Sequence, residues 1–141
     1  MSFSAFFAQN KLKPRTVKLV VSKGFLDENG KPIEWELRVL TAAEDAEIRR
    51  ASTRKVKTAG KSGVYTQEFD VNTYLTKLTA ACVVYPDLND AELQNSYKVM
   101  GAEAVLGEML DPGEYNTLSS KAGEINGFTE SVEELAEEAK N

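Results

Sequence analysis

Apolar positions recur at steps of three and four most clearly between Phe69 and Pro86. Val71, Tyr74, Leu75, Leu78, Cys82 and Tyr85 then line one side of a helix. Asp70 stands before the first turn, where its carboxylate caps the free N–H groups. Pro86 ends the segment, because the residue before a proline is pushed out of the α region. Ala80, Ala81, Val83 and Val84 spread the apolar character around the rest of the cylinder. A helix apolar on most sides is a central one, so the remaining chain is expected to pack on it.

Upstream the period changes to two. Thr16–Ser22 is rich in β-branched residues, and Trp35, Leu37 and Val39 alternate with Glu36 and Arg38. Between these runs lies DENGKP, residues 27–32. Its Asn29-Gly30 pair tolerates positive φ and predicts a turn joining an antiparallel hairpin. Thr41 and Glu44 form a capping box that opens a helix from Ala42 to about Arg54. Residues 49–63 read as a solvated loop. Downstream, Asn89 with Glu92 opens a helix running to about Met100, and Gly101 breaks or caps it. Ala102–Leu110 forms another, with Val105, Leu106, Met109 and Leu110 apolar. Asp111, Pro112 and Glu114 start a further helix through Tyr115, Leu118 and Ala122 to Asn126-Gly127. In residues 129–141, Val132, Leu135, Ala136 and Ala139 make a narrow stripe beside five glutamates, an acidic amphipathic helix.

The expected fold is α+β and predominantly α-helical: an N-terminal antiparallel β-hairpin packed on a bundle of about five to six short helices. A length of 141 residues fits a single domain, 1–141, in which residues 1–14 serve as an N-terminal arm.

Composition narrows the chemistry. The formal net charge of −5 argues against general nucleic-acid binding. No apolar run approaches the ~20 residues of a membrane span, and the start, MSFSAFFAQNK, lacks the charged n-region and cleavage site of a signal peptide, so a cytoplasmic protein is expected. The chain has no histidine, which removes the commonest general base and transition-metal ligand together. Its one cysteine, Cys82, sits on the apolar helix face and reads as a small buried hydrophobe. Asp27, Asn29 and Gly30 faintly resemble a calcium loop, but the glycine is too early and no distal glutamate follows. Gly60-Lys61-Ser62 mimics the end of a phosphate-binding loop, yet the position needing the first glycine holds Lys55. No nucleophile elbow, paired-cysteine motif or metalloprotease helix is present. No catalytic residue, cofactor or metal site is expected.

Three stretches have the chemistry of contact surfaces. Phe3, Phe6 and Phe7 share a face if their segment is helical; they either fold onto the domain or form an exposed hook for a partner. Arg49, Arg50, Arg54, Lys55, Lys57 and Lys61 form a basic run without an acidic residue between them, either solvated or a docking patch for an acidic partner. The stripe carrying Val132 and Leu135 has to dock on the domain, on a second copy or on another protein, because so short a helix is marginal alone.

Several stretches, in order, resemble one family. They are Ser4–Asn10, Val20–Phe25, Asp27–Pro32, Trp35-Glu36, Tyr74–Leu78, Tyr85–Gln94, Ser96-Tyr97, Gly101–Glu103, Pro112–Tyr115 and Glu124–Phe128. Each is a turn, cap or core piece; the ordered set is similar to the XkdN-like family of phage tail assembly chaperones over nearly the whole chain. The resemblance implies a non-enzymatic protein of phage or prophage tail morphogenesis. It implies binding to the tape-measure protein and help in recruiting tail-tube protein, in the host bacterial cytoplasm and outside the finished virion. It supplies no catalytic residue. Homo-oligomerisation stays open. The alternative is a small structural component of the tail or connector that is retained in the particle.

Overall fold

A computed structural model describes residues 3–13, 15–60 and 62–128. Two short 3-10 turns, Phe3–Phe6 and Ala8–Asn10, precede the first strand. Strand β1 (Thr16–Val20) pairs antiparallel with β2 (Glu34–Arg38), Leu19 opposite Trp35 and Thr16 opposite Arg38. The period-two pattern sends Trp35 and Leu37 to one face, where both are buried. The connection turns as expected. Asp27 Oδ1 accepts from the Asn29 and Lys31 N–H groups, and Gly30 takes φ 77°. The carboxylate that faintly resembled a calcium ligand is occupied as a turn acceptor.

Helix α1 (Ala42–Ala51) starts at the capping box: Thr41 accepts from the Glu44 N–H, and Glu44 accepts from the Thr41 N–H. It stops three residues before the expected Arg54. Ser52 closes it, its hydroxyl donating to the Ile48 carbonyl at 2.7 Å. The next residues are not a loop. Thr53–Lys57 (β3) and Tyr65–Phe69 (β4) pair antiparallel as a second sheet.

The central helix, α2 (Val71–Cys82), is capped by Asp70 as expected, and Tyr74, Leu78 and Cys82 are buried. It is shorter than its pattern suggested. Val83–Tyr85 leave it as strand β5, which lies on the free edge of β2 and makes the sheet order β1-β2-β5. β-branched Val83 and Val84 are stiff in a helix and fit a pleated strand, and the unpaired edge of β2 offers them backbone partners. A predominantly helical fold with one hairpin is therefore corrected. Of the described residues 46% are helical and 20% are in strands, arranged as a three-stranded and a two-stranded sheet.

The expected helix from Asn89 to Met100 also changes. Asp90 is the N-cap, accepting from the Leu93 N–H, while the Asn89 N–H donates to Asp87 Oδ1 in the preceding turn. The resulting helix α3 covers only Ala91–Ser96. Gln94 bridges the following loop, donating to the Leu88 carbonyl and accepting from the Gly101 N–H. Helix α4 (Ala102–Met109) and helix α5 (Pro112–Ile125) fall where expected, the latter opened by Asp111 and Glu114 in a full capping box.

Two apolar clusters hold these parts. Trp35 and Leu37 from the three-stranded sheet meet Ala80 of α2, Val105 and Leu106 of α4 and Leu118 of α5. Tyr74, Leu78, Cys82 and Ala122 form the second cluster, ringed by Ile48, Phe69, Leu75 and Phe128. Burying a side chain such as Leu78 contributes about 2 kcal/mol. Thr79 and Asn126 join the helices through polar contacts. Thr79 Oγ1 donates to the Leu75 carbonyl at 2.6 Å and lies 3.1 Å from Ser119 Oγ. Asn126 accepts from the Leu40 N–H and donates to the Ala122 carbonyl and to Cys82 Sγ.

Candidate partner-binding surfaces

The N-terminal arm folds on itself. The Phe7 N–H and the Asn10 side-chain amide both donate to the Ser4 carbonyl, at 2.9 and 2.8 Å. In a 3-10 turn residues three apart stack on one side, so Phe3 lies over Phe6 with ring centroids 5.7 Å apart. Phe7 meets Phe3 edge-on at 6.2 Å. The rings shield one another but no core covers them: Phe3 is 76% and Phe6 79% exposed. Neither turn buries any residue.

The basic run is divided among distinct surroundings. Arg49, on the last turn of α1, bonds Asp45 at 2.9 Å and stacks over Tyr74 at 4.6 Å. Tyr74 in turn donates to Asp45 at 2.5 Å. Burial, and then this bond, push the Tyr74 phenol well above its ordinary range and keep it protonated. Arg50 bonds Glu47 one turn back. Arg54 and Lys55 lie on β3 and point to opposite faces of the ribbon formed by β3 and β4. Arg49 and Arg50 are thus tied within α1, whereas Arg54, Lys55 and Lys57 stand out on the ribbon. Gly60 and Gly63, both with positive φ, turn the chain between β3 and β4. Gly60, in the segment that mimics a phosphate loop, follows a strand paired in a hairpin rather than one leading into a helix, and Lys61 lies outside the described residues. Val132 and Leu135 lie outside the described residues.

Two concave surfaces had no linear signal. An open groove of about 840 Å³ lies between α1, α2 and the start of α4. Its floor is small, with Ala51, Ala80, Ala81 and Ala102, and its rim carries the Lys77–Glu103 pair at 3.1 Å. Met100, 90% exposed, stands at its lip. A smaller, apolar pocket of about 300 Å³ is lined by Phe25, Trp35, Tyr85, Tyr97 and Met109. Each draws residues from elements distant in sequence, so only packing assembles it. Tyr85 was expected on the central helix; on β5 it reaches this pocket instead.

Among the described residues no three acidic or cysteine side chains group as metal ligands. Cys82 is buried, and desolvation raises its thiol pKa, which opposes nucleophilic use. No helix of the described residues is long and apolar enough to cross a membrane.

Comparison with known proteins places these surfaces in context. The family model described as phage XkdN-like tail assembly chaperone protein matches residues 3–140. The phage-like element PBSX protein XkdN of Bacillus subtilis (strain 168) is 30% identical, over 97% of this chain and 93% of its own length. The uncharacterised protein YqbN of the same organism is 29% identical, over 98% of this chain and 92% of its own length. A crystal structure of YqbN is similar to this fold, with a TM-score of 0.74 at 25% identity, covering 91% of this chain and 98% of that one.

Proposed function

The chain belongs to the XkdN-like family of phage tail assembly chaperones, and from that premise we propose that it binds the tape-measure protein and assists tail-tube assembly. The observation that carries this reading is the arm: three phenylalanines cluster on a segment that buries none of them. A chaperone for a long apolar-faced client has to present apolar surface while remaining in solution. Aromatic anchors suit that task, because they supply large contact area at low conformational cost. The net charge of −5 keeps the loaded complex dispersed. The exposed cations of the ribbon attract acidic stretches of the client.

Co-expression with the tape-measure protein of the same gene cluster tests the proposal. The expected result is a soluble client that co-elutes with this chain in size-exclusion chromatography. Replacing Phe3, Phe6 and Phe7 together by alanine weakens that binding by about tenfold or more, the scale of losing buried aromatic anchors. The thermal midpoint stays unchanged, because none of the three supports the core. A client that remains insoluble while this chain elutes alone overturns the reading. Mass spectrometry of purified particles then tests retention in the virion.

A further inference from the structure

The ribbon leaves the body at Thr53 and Phe69, and the strand residues beyond that root are exposed on both faces, with only Val56 half-buried. Its register sorts the charges. Arg54 stands opposite Glu68, with 3.9 Å between charged atoms, on one face. On the other face Lys55 stands opposite Gln67 and Lys57 opposite Tyr65. Neither lysine has a carboxylate partner among the described residues, and the Tyr65 ring beside them is 60% exposed. A second copy of the same face brings lysine against lysine, which is unfavourable. The complement of this face is an acidic segment that carries a few apolar side chains.

The chain holds such a segment directly after Phe128. Residues 129–141 contain Glu130, Glu133, Glu134, Glu137 and Glu138 against Lys140 alone, with Val132 and Leu135 among them. Phe128 packs on the cluster of Tyr74, Leu78, Cys82 and Ala122, and so does Phe69 at the root of the ribbon. The segment therefore begins at the cluster on which the ribbon is rooted. It spans about 20 Å if helical and about 40 Å if extended, against about 17 Å for each ribbon strand, so the extended segment has length to spare for reaching Lys57. From the charge complementarity, the point of departure and the length, we infer that residues 129–141 cover the Lys55, Lys57 and Tyr65 face of their own chain. The glutamates meet the two ammonium groups, and Val132 and Leu135 lie on Tyr65. The contact needs no client, so it stands or falls apart from the chaperone reading.

Amide hydrogen exchange of the full chain tests it through two charge reversals. One is Lys55→Glu with Lys57→Glu; the other is Glu133→Lys with Glu134→Lys, Glu137→Lys and Glu138→Lys. Each alone is expected to speed exchange of the ribbon amides about fivefold, the effect of losing two exposed ion pairs, and the combined swap restores protection. Exchange in α2 and α5 stays as it was. Ribbon exchange indifferent to either reversal, or a swap that fails to restore it, overturns the inference. Carbodiimide cross-linking of mixed unlabelled and 15N-labelled chains identifies the occupant. Links from Lys55 or Lys57 to residues 129–141 within one isotope support the chain's own segment, and links across isotopes replace it with that of a second copy.

Discussion

Arg38 and Glu44 show how one side chain serves two purposes. Glu44 closes the capping box of α1 and takes both Arg38 guanidinium nitrogens, at 3.0 and 2.6 Å. The Arg38 bond first, and the Thr41 N–H next, hold the Glu44 carboxyl down at about 2, from 4.5. A lowered folded-state pKa contributes stability that is present above the unfolded value and lost as pH falls through the folded one. The window is therefore pH 4.5 down to 2. Both side chains are more than a third exposed, so solvent screening limits the contribution to about 1 kcal/mol. Glu44→Gln is expected to lower urea stability at pH 7 by about that amount. The gap from wild type closes as the pH falls toward 2; a gap independent of pH excludes the ion pair as its cause. The capping role was legible from Thr41 and Glu44 at the required spacing. The partner Arg38 was not, because only the approach of β2 to the start of α1 brings it there.

At the scale of elements, the ribbon is tied to the rest of the domain at its root. Beyond Thr53 and Phe69 its strands pair with one another while their side chains face solvent, and two strands alone are marginally stable. Replacing residues 55–67 by a short glycine-serine turn is expected to shift the stability of the remaining domain by no more than about 1 kcal/mol, measured by urea denaturation. A large loss assigns the ribbon a share in the core. Its absence from the sequence reading has the same cause. With no buried face, selection imposes no alternation of apolar and polar positions, and Thr53–Lys57 reads as charge alone. β5 escaped notice for the opposite reason. Val83 and Val84 continue an apolar run that fits a helix as well as a strand, and the decision rests with the edge of β2, distant in sequence.

For the molecule as a whole, the two apolar clusters share their helices. Ala80 and Leu118 serve one cluster, and Leu78, Cys82 and Ala122 serve the other, all from α2 and α5. Neither helix can leave one cluster while keeping the other, so unfolding should be a single transition. Trp35, the only tryptophan, reports on the first cluster. Leu78→Ala in the second is expected to cost about 2–5 kcal/mol and to shift Trp35 fluorescence and far-ultraviolet circular dichroism to the same lower midpoint. Separated midpoints show two independent units.

By itself the sequence determined what depends on neighbours in the chain. The caps at Thr41, Asp70 and Asp111, the turn at Asn29-Gly30 and the buried face Tyr74, Leu78 and Cys82 are set by residues within a few positions, and the β1–β2 hairpin by two β-rich runs on either side of that turn. The ordered set of such pieces also carried the family. Tertiary structure decided what depends on distant partners: the end of α2 at Cys82, the pairing of β5, and the two concave surfaces. It also decided which cations are spent inside the fold and which face solvent. Arg49 is drawn in because α2 sets Tyr74 beside it, while Lys55 and Lys57 stay out because nothing among the described residues packs over the ribbon. Local periodicity carries burial only where one face is buried, and the free edge of a sheet leaves no mark on the strand that will complete it.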